Sequence, residues 1–337
     1  MSCKIGPKRM NMKIHYRIRE HFIEIVRCFG TEPRVILPEQ IEGHPVKKVA
    51  AYAFSSRKYR EDTDILVYEG AEDSLFEEQE KLLAGELVEE AVFPDTVEEI
   101  GNYIFYGCKK LKKLEFSDSL ARIGSGAFTG CGNLSSLKVH LKQGEKSCVK
   151  EILGDLWQRI DVIFEIQADG TEEKGKQEVY LVFPEHYEEA VENTPARILF
   201  TKHHGIGNNY RQCFYNREMD YRKYDALFPL ASAQDDTDVL ADLIFGRLCC
   251  PYRLTREHEK MYEEYVAGHL EEIACYLTVQ DRPDVLRQIS IRKLWSREGL
   301  ENTIDAAARA EKTEILSFLM NEKHLLFPEN RRKRFEL

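Results

Sequence analysis

The sequence predicts an α+β chain, in which a short β-solenoid is followed by a small α/β segment and then by an α-helical domain. Three observations lead to this prediction. A 23-residue phrase occurs twice in direct succession, strand-like segments follow it, and helical periodicity dominates beyond about residue 220. With 337 residues, the chain is long enough for two domains of ordinary size.

The repeat aligns Phe93–Glu115 with Phe116–Lys138 without a gap. Nine of the 23 aligned positions are identical, and these positions hold apolar, small or turn-forming residues, whereas most of the variable positions are polar. This pattern is typical of a solenoid, because each turn of a solenoid buries its apolar residues against the next turn. We therefore expect Phe105 and Phe128 to stack in a continuous core.

The phrase P-x-x-V-x-x-I-G-x-x-x-F-x-x-C-x-x-L-x-x-L runs from Pro94 to Leu114. It resembles the BspA-type leucine-rich repeat, and a degenerate third turn fits Val35–Phe54 upstream. The resemblance covers about residues 13–140. It implies a β-solenoid fold, a bacterial origin and recognition of protein partners.

The first predicted domain, residues 1–160, adds three elements to the repeat. Residues 13–30 alternate between apolar and polar side chains, which predicts a β-hairpin that caps the open end of the solenoid. An acidic insertion lies at about residues 57–86, and a capping box and a glycine stop predict a short surface helix over Ser74–Gly85 within it. Residues 147–160 are predicted to form an amphipathic helix that caps the other end.

The rest of the chain divides into two predicted regions. Residues 161–219 contain three strand-like runs and a predicted short helix at 185–193, and they form either a bridging α/β segment or an extension of the array. Residues 220–337 are predicted to be helical. Within them AGHLEEIACYL and AARAEKTEILSFLM resemble ankyrin helices, and their glutamates Glu271 and Glu314 are 43 residues apart.

Strand alternation predicts which side chains of the repeat point away from the core. Glu90 with Lys113, and Glu115 with Lys138, are opposite charges on neighbouring strands that would help to fix the register. This outward face is the candidate partner-binding surface, with a solvated sheet face as the alternative interpretation. The surface, called the ribbon below, consists of Glu90, Val92, Lys113, Glu115, Ser136 and Lys138.

Charge and cysteine content restrict the partners and the compartment. The net charge is −10, and residues 61–99 contain 15 acidic residues against one basic residue, which favours a basic protein partner and disfavours nucleic acid. No window approaches the roughly 18 apolar residues of a membrane span, so no membrane partner is expected. Nine scattered cysteines without a C-x-x-C pair, and no apolar run of signal-peptide length, predict reduced thiols and a cytoplasmic protein.

The sequence therefore predicts a non-enzymatic protein-interaction or scaffolding protein, with no catalytic residues, cofactor or metal ligands. One alternative is an enzyme with a site near His203–Asn209, since KHHGIGNNYRQC combines adjacent histidines, a G-x-G and a cysteine. Adjacent histidines on an extended chain point to opposite faces, which disfavours a shared metal ion. A second alternative is an exported surface adhesin.

Overall fold

The computed structural model describes residues 12–57, 64–70, 81–167, 176–193 and 198–328. Contacts divide the chain into two compact units, Met1–Asp220 and Tyr221–Leu337. The first unit contains a β-solenoid of about five turns, and the second is helical. The predicted combination of a solenoid with a helical C-terminal region is thus confirmed, with more turns than the three that the sequence indicates.

The first unit is built mainly from short strands. In chain order these are β1 (Met12–Arg19), β2 (Phe22–Gly30), β3 (Arg34–Ile36), β4 (Gln40–Ile41), β5 (His44–Val49), β6 (Leu66–Glu69), β7 (Lys81–Leu82), β8 (Glu90–Val92), β9 (Glu99–Ile100), β10 (Lys113–Ser117), β11 (Arg122–Ile123), β12 (Ser136–Leu141), β13 (Ile160–Ile166), β14 (Gln177–Phe183), β15 (Tyr187–Asn193), β16 (Ile198–His204), β17 (Phe214–Tyr215) and β18 (Glu218–Met219). A 3-10 helix (Gly85–Leu87) and the helices α1 (Val149–Gly154) and α2 (Gly207–Arg211) complete the unit.

The solenoid turns contribute strands to two sheets. The first sheet has the order β14-β13-β12-β10-β8-β3, and all its neighbours are parallel except β13 and β14. The second sheet has the order β11-β9-β5-β2-β1-β6. In the first sheet Lys113 is aligned with Glu90 on one side and with Ser136 on the other, as the repeat predicts.

Aromatic rings form a continuous stack through the solenoid core. Phe54 and Phe105 stack with ring centroids 5.2 Å apart, and Phe105 and Phe128 stack at 5.8 Å. The thiols of Cys108 and Cys131 donate to the carbonyls of Phe54 and Phe105 in turn, each at 3.2 Å. Each turn therefore repeats the same buried layer, and the predicted stacking of Phe105 on Phe128 is confirmed.

Two glycines allow successive turns to approach each other closely. A Cβ on Gly101 would lie 2.3 Å from the backbone nitrogen of Ala51, and a Cβ on Gly124 would lie 2.3 Å from that of Asn102. Real Cβ atoms do not approach backbone atoms so closely, so both positions require glycine. These two glycines occupy equivalent places in the repeat.

The C-terminal end of the solenoid differs from the expected long helix. Only Val149–Gly154 is helical, and the chain then enters β13, which pairs in parallel with β12. Ile160, Val162 and Phe164 of β13 are buried at every second position, so the period of a strand prevails over that of a helix. Of the two interpretations of residues 161–219, extension of the array therefore applies to β13.

The helix expected over residues 185–193 is wrong. Tyr187–Asn193 forms β15, which pairs antiparallel with β16 along its whole length. The partner strand completes the backbone hydrogen bonds of this segment, and such pairing overrides a local helical preference. This pairing was not predicted because the two strands are not separated by a recognisable two-residue turn.

The predicted hairpin is present as β1 and β2, which pair antiparallel. The predicted acidic helix over Ser74–Gly85 lies mostly outside the described residues. Its last part is described and is not α-helical, since Lys81–Leu82 pairs with β2 and Gly85 begins a 3-10 helix. Pairing with the hairpin supplies the hydrogen bonds that a helix would have made there.

The second unit consists of helices joined by short turns. They are α3 (Tyr221–Ala226), α4 (Phe228–Ala231), α5 (Thr237–Cys249), α6 (Arg256–Gly268), α7 (Leu270–Val279), α8 (Pro283–Ile291), α9 (Arg297–Arg309) and α10 (Thr313–Leu326). Their core includes an ion pair in which Arg247 donates to both carboxylate oxygens of Asp225, at 2.7 and 2.9 Å. Both side chains are fully buried, and the hydroxyl of Tyr262 donates to the same carboxylate at 2.9 Å.

Candidate interaction surface of the solenoid

The register of the first sheet places the six ribbon residues on one face. The intervening residues Ala91, Leu114 and Leu137 point to the core and are at most 1% exposed. One row of the ribbon contains Glu90, Lys113 and Ser136, and the next row contains Val92, Glu115 and Lys138. The sequence-predicted site residues are therefore brought together in the predicted order.

Ion pairs cross the ribbon from strand to strand. Lys113 lies 3.4 Å from Glu90, which confirms the first predicted charge pair. The second pair is different, because Lys138 binds Glu165 at 3.1 Å and Glu115 lies 2.9 Å from His140. β13 adds a carboxylate beside Lys138, and the repeat does not predict that β13 belongs to this sheet.

Glu165 is the centre of the charge network at this end of the sheet. It is 8% exposed and contacts Lys138, Lys176 and His140. Burial alone would raise the pKa of Glu165, but the hydrogen bonds from Lys176 and Lys138 and the charge of His140 outweigh burial and lower the pKa to about 2. This carboxylate stays ionised at neutral pH, and it fixes Lys138 of the ribbon in place.

The second sheet presents a row of charges in which the sign alternates from strand to strand. Lys48 of β5 lies 3.8 Å from Glu24 of β2 and 2.8 Å from Glu99 of β9. Arg122 of β11 lies 2.8 Å from the same Glu99. The hydrogen bond from Lys48 and the contact with Arg122 lower the pKa of Glu99. This row was not predicted from the sequence, because β9 and β11 have only two residues each.

The motif KHHGIGNNYRQC lies at the end of β16 and in α2. His204 stacks on Tyr187 with ring centroids 4.4 Å apart, and its Nε2 lies 2.9 Å from Glu189. A Cβ on Gly207 would lie 2.1 Å from the carbonyl oxygen of Pro184. The G-x-G of this motif therefore allows close packing of two backbone segments.

Arg211 of the same motif is a buried cation that binds backbone carbonyls. Its guanidinium donates to the carbonyls of Leu153, Leu156, Pro184 and Gln158 at 2.6 to 3.3 Å. Burial lowers the pKa of Arg211 to about 10, which leaves the group charged at neutral pH. These contacts join α1, the loop after it and the loop before β15.

Among the described residues, no group of three or more histidine, cysteine or acidic side chains could hold a metal ion. The register of the first sheet brings the predicted ribbon residues together. The enzyme alternative near His203–Asn209 stays a prediction. None of the described helices has both the length and the apolar character needed to cross a bilayer.

Comparison with known proteins bears on the first unit. Residues 79–152 match a family model described as "BspA type Leucine rich repeat region (6 copies)". The comparison with curated proteins gives no match.

Two crystal structures are similar over part of the chain. A leucine rich cell surface protein from Faecalibacterium prausnitzii A2-165 is 20% identical over 40% of this chain and 36% of that chain, with a TM-score of 0.26. A leucine rich repeat protein from T. pallidum is 22% identical over 36% of this chain and 67% of that chain, with a TM-score of 0.22. The match spans little more than a third of the F. prausnitzii protein. The N-terminal region of the chain carries BspA-type leucine-rich repeats.

Proposed function

We propose that this protein is a non-enzymatic interaction protein that binds a protein partner on the ribbon. The observation that carries the proposal is the continuous outer face of the first sheet, whose side chains are supplied by successive turns of the solenoid. Leucine-rich repeat proteins generally bind protein partners. Repeat solenoids present such extended surfaces to macromolecules.

The partner that fits this unit best is basic. The block from residue 61 to residue 99 carries 14 more acidic than basic residues, and it extends into the first copy of the repeat. Opposite charge on a partner would increase the rate of association and fix its orientation. Binding of such a partner would weaken as the salt concentration rises.

The experiment uses a photo-crosslinking amino acid at position 113 in the full chain, expressed in its native host. Lys113 is the ribbon residue of choice because its side chain is 62% exposed and its contact is a surface ion pair. Lys138 is a poorer choice, since it also holds the buried Glu165. The matched control carries the crosslinker at Lys109, which is exposed and lies outside the ribbon.

We expect a protein to be crosslinked from position 113 and not from position 109. The substitution Lys113→Trp places a bulky ring in the ribbon and should then reduce capture of that protein about tenfold, whereas Lys109→Trp should leave capture within about twofold. The melting temperature of both variants should stay close to that of the wild type, because exposed ion pairs contribute little to stability. Equal capture by the two variants would show that the interface lies outside the ribbon.

We also propose a cytoplasmic location. Eight of the nine cysteines are described, and among them Cys28, Cys108, Cys131 and Cys148 are buried free thiols. Free thiols are typical of reducing compartments. The alternative, an exported adhesin, predicts that the protein is accessible to protease on intact cells. Fractionation of cells combined with that digestion separates the two locations.

The helical unit is proposed to contain ankyrin-like repeats. The hairpins α7–α8 and α9–α10 turn at Asp281 and Glu311, which both have φ of 57° and are 30 residues apart. This spacing is near the roughly 33 residues of an ankyrin repeat. It differs from the 43 residues between Glu271 and Glu314, because those two glutamates lie in helices that are not equivalent in the hairpins. An experimental structure in which the two hairpins do not superpose would contradict this proposal.

A further inference from the structure

A cavity of about 440 Å³ opens in the first unit, away from the six ribbon residues. The loop after α1 forms one side of it and contributes Asp155 and Trp157. The segment leading into β15 forms the other side and contributes His186, Tyr187 and Glu188. The cavity therefore lies beside the motif KHHGIGNNYRQC, whose residues build its support.

Two aromatic rings in the lining are unusually accessible. Trp157 is 54% exposed and Tyr187 is 53% exposed. Large aromatic side chains are mostly buried in soluble proteins, and accessible ones are enriched where partners bind. The ring of Tyr187 is held by its stacking on His204 at an interplanar angle of 6°. The ring of Tyr187, which forms an aromatic wall of the cavity, is thus held in a fixed orientation without a ligand.

The charge of the lining favours a cation. Asp155 and Glu188 are acidic, and within the described part of the chain the lining contains no lysine or arginine. The guanidinium of Arg211 lies below the lining, bound to the carbonyl of Leu156. The two carboxylates give the lining residues themselves a net negative charge.

Hydrogen bonds hold the two sides of the cavity in fixed positions. The backbone N–H of His186 donates to the carbonyl of Trp157 at 2.9 Å. Arg211 donates to carbonyls on both sides, those of Leu156 and Pro184. A site that is formed before binding loses little conformational entropy when a ligand enters.

We infer that this cavity binds a lysine or arginine side chain of a protein partner. Aromatic faces attract cations, and a nearby carboxylate adds a charge-assisted hydrogen bond. The aliphatic stem of lysine or arginine can lie along an aromatic ring while its charged end reaches the carboxylates. The inference goes beyond the proposed ribbon interface, because no ribbon residue lines the cavity.

The test uses acetylated, amidated tetra-arginine as the probe and the full chain with Trp295→Phe. That substitution leaves Trp157 as the single tryptophan, since the sequence contains two. We expect a saturable change in tryptophan fluorescence with tetra-arginine and no change with tetra-glutamate. The affinity should fall at high salt, because the attraction is partly between exposed charges.

The decisive comparison is between two pairs of substitutions that change the charge equally. Asp155→Asn with Glu188→Gln should weaken binding about tenfold, as expected for loss of charged contacts. Glu257→Gln with Glu298→Gln, at exposed positions of the helical unit, should change the affinity less than about twofold. Equal weakening in both pairs would mean general attraction to an acidic protein and would overturn the inference, as would the absence of a saturable signal.

A further pair of variants tests the aromatic wall without changing the charge. Tyr187→Phe keeps the ring and should bind the probe as the wild type does, whereas Tyr187→Leu should bind at least about threefold more weakly. Because Tyr187 is 53% exposed, both variants should fold, which far-UV circular dichroism will check. Equal affinity of these two variants would contradict the role of the ring. Failure of the ribbon crosslink would leave all these results unaffected.

Discussion

The solenoid and the helical unit differ in how their cores are built. In the solenoid, the buried layer of one turn is nearly a copy of the next, as the stack of Phe54, Phe105 and Phe128 illustrates. In the helical unit, the helices pack around the buried ion pair between Asp225 and Arg247. The core of the solenoid depends on close packing of apolar groups. The core of the helical unit also depends on the pairing of two buried opposite charges.

This difference determines how each core should respond to substitution. A cavity in a stacked core costs the contacts that one layer makes with its two neighbours, and it leaves no unpaired charge. Removal of one buried charge leaves the other without a partner in a medium of low polarity. The two units should therefore differ in whether a second substitution can restore stability.

The largest effect is expected for Asp225→Ala. It leaves the buried guanidinium of Arg247 without its carboxylate, at a cost of about 3–5 kcal/mol, and it also removes the hydrogen bond from Tyr262. The double substitution Asp225→Leu with Arg247→Met should recover most of the loss, because no unpaired charge remains. Chemical denaturation measures both values, and a double variant no more stable than the single one would contradict this view of the core.

A loss of about 3–5 kcal/mol is expected for Phe105→Ala, which empties one layer of the stack. Phe105→Leu should cost clearly less because it fills part of the space. Hydrogen exchange should show weaker protection of β10 and β12 and unchanged protection of α5. A loss below about 1 kcal/mol would mean that the layers do not support one another.

The smallest effect is expected for Glu165→Gln and depends on pH. The pKa of Glu165 is about 2 in the folded chain and 4.5 is its ordinary value, so the unfolded chain binds the proton more readily. The stabilisation is therefore complete above about pH 4.5 and is lost as the pH falls toward 2. We expect the variant to lose about 1–3 kcal/mol at pH 7 and to approach the wild type in acid.

The matched control is Glu178→Gln, on the neighbouring position of β14, where the side chain is exposed. Its stability should follow that of the wild type at all pH values. A parallel pH dependence of Glu165→Gln and the wild type would show that the charge network does not stabilise the sheet.

The same contrast explains what could be predicted from the sequence. The register of Glu90, Lys113 and Ser136 followed from the repeat, because identical turns must align identical positions. Asp225 and Arg247 are 22 residues apart and belong to no repeat, so only the packed structure pairs them. The burial of Arg211 could not be predicted from the sequence either. Its hydrogen-bond acceptors are backbone carbonyls, which every residue has and which no side-chain pattern identifies.

The predictions from the sequence fail in the segments that follow the last copy of the repeat. β13 continues the first sheet with a sequence that lacks the repeat phrase, so Glu165 was not expected beside Lys138. β15 has a helix-like composition, and its pairing with β16 decides its conformation. Local preference is weak at such places, and contacts between distant segments determine the outcome.

The alternating charges on the second sheet restrict how this solenoid could change in length. Loss of the single turn Phe93–Glu115 would place Lys48 beside Arg122, and one extra copy of that turn would place two copies of Glu99 side by side. Like charges on adjacent strands are unfavourable. A duplicate of both turns, Phe93–Lys138, would instead continue the alternation of Glu99 and Arg122. Insertion or loss of two turns therefore preserves the alternation of charge, whereas a change of one turn does not. The number of turns in such an array should change by two at a time.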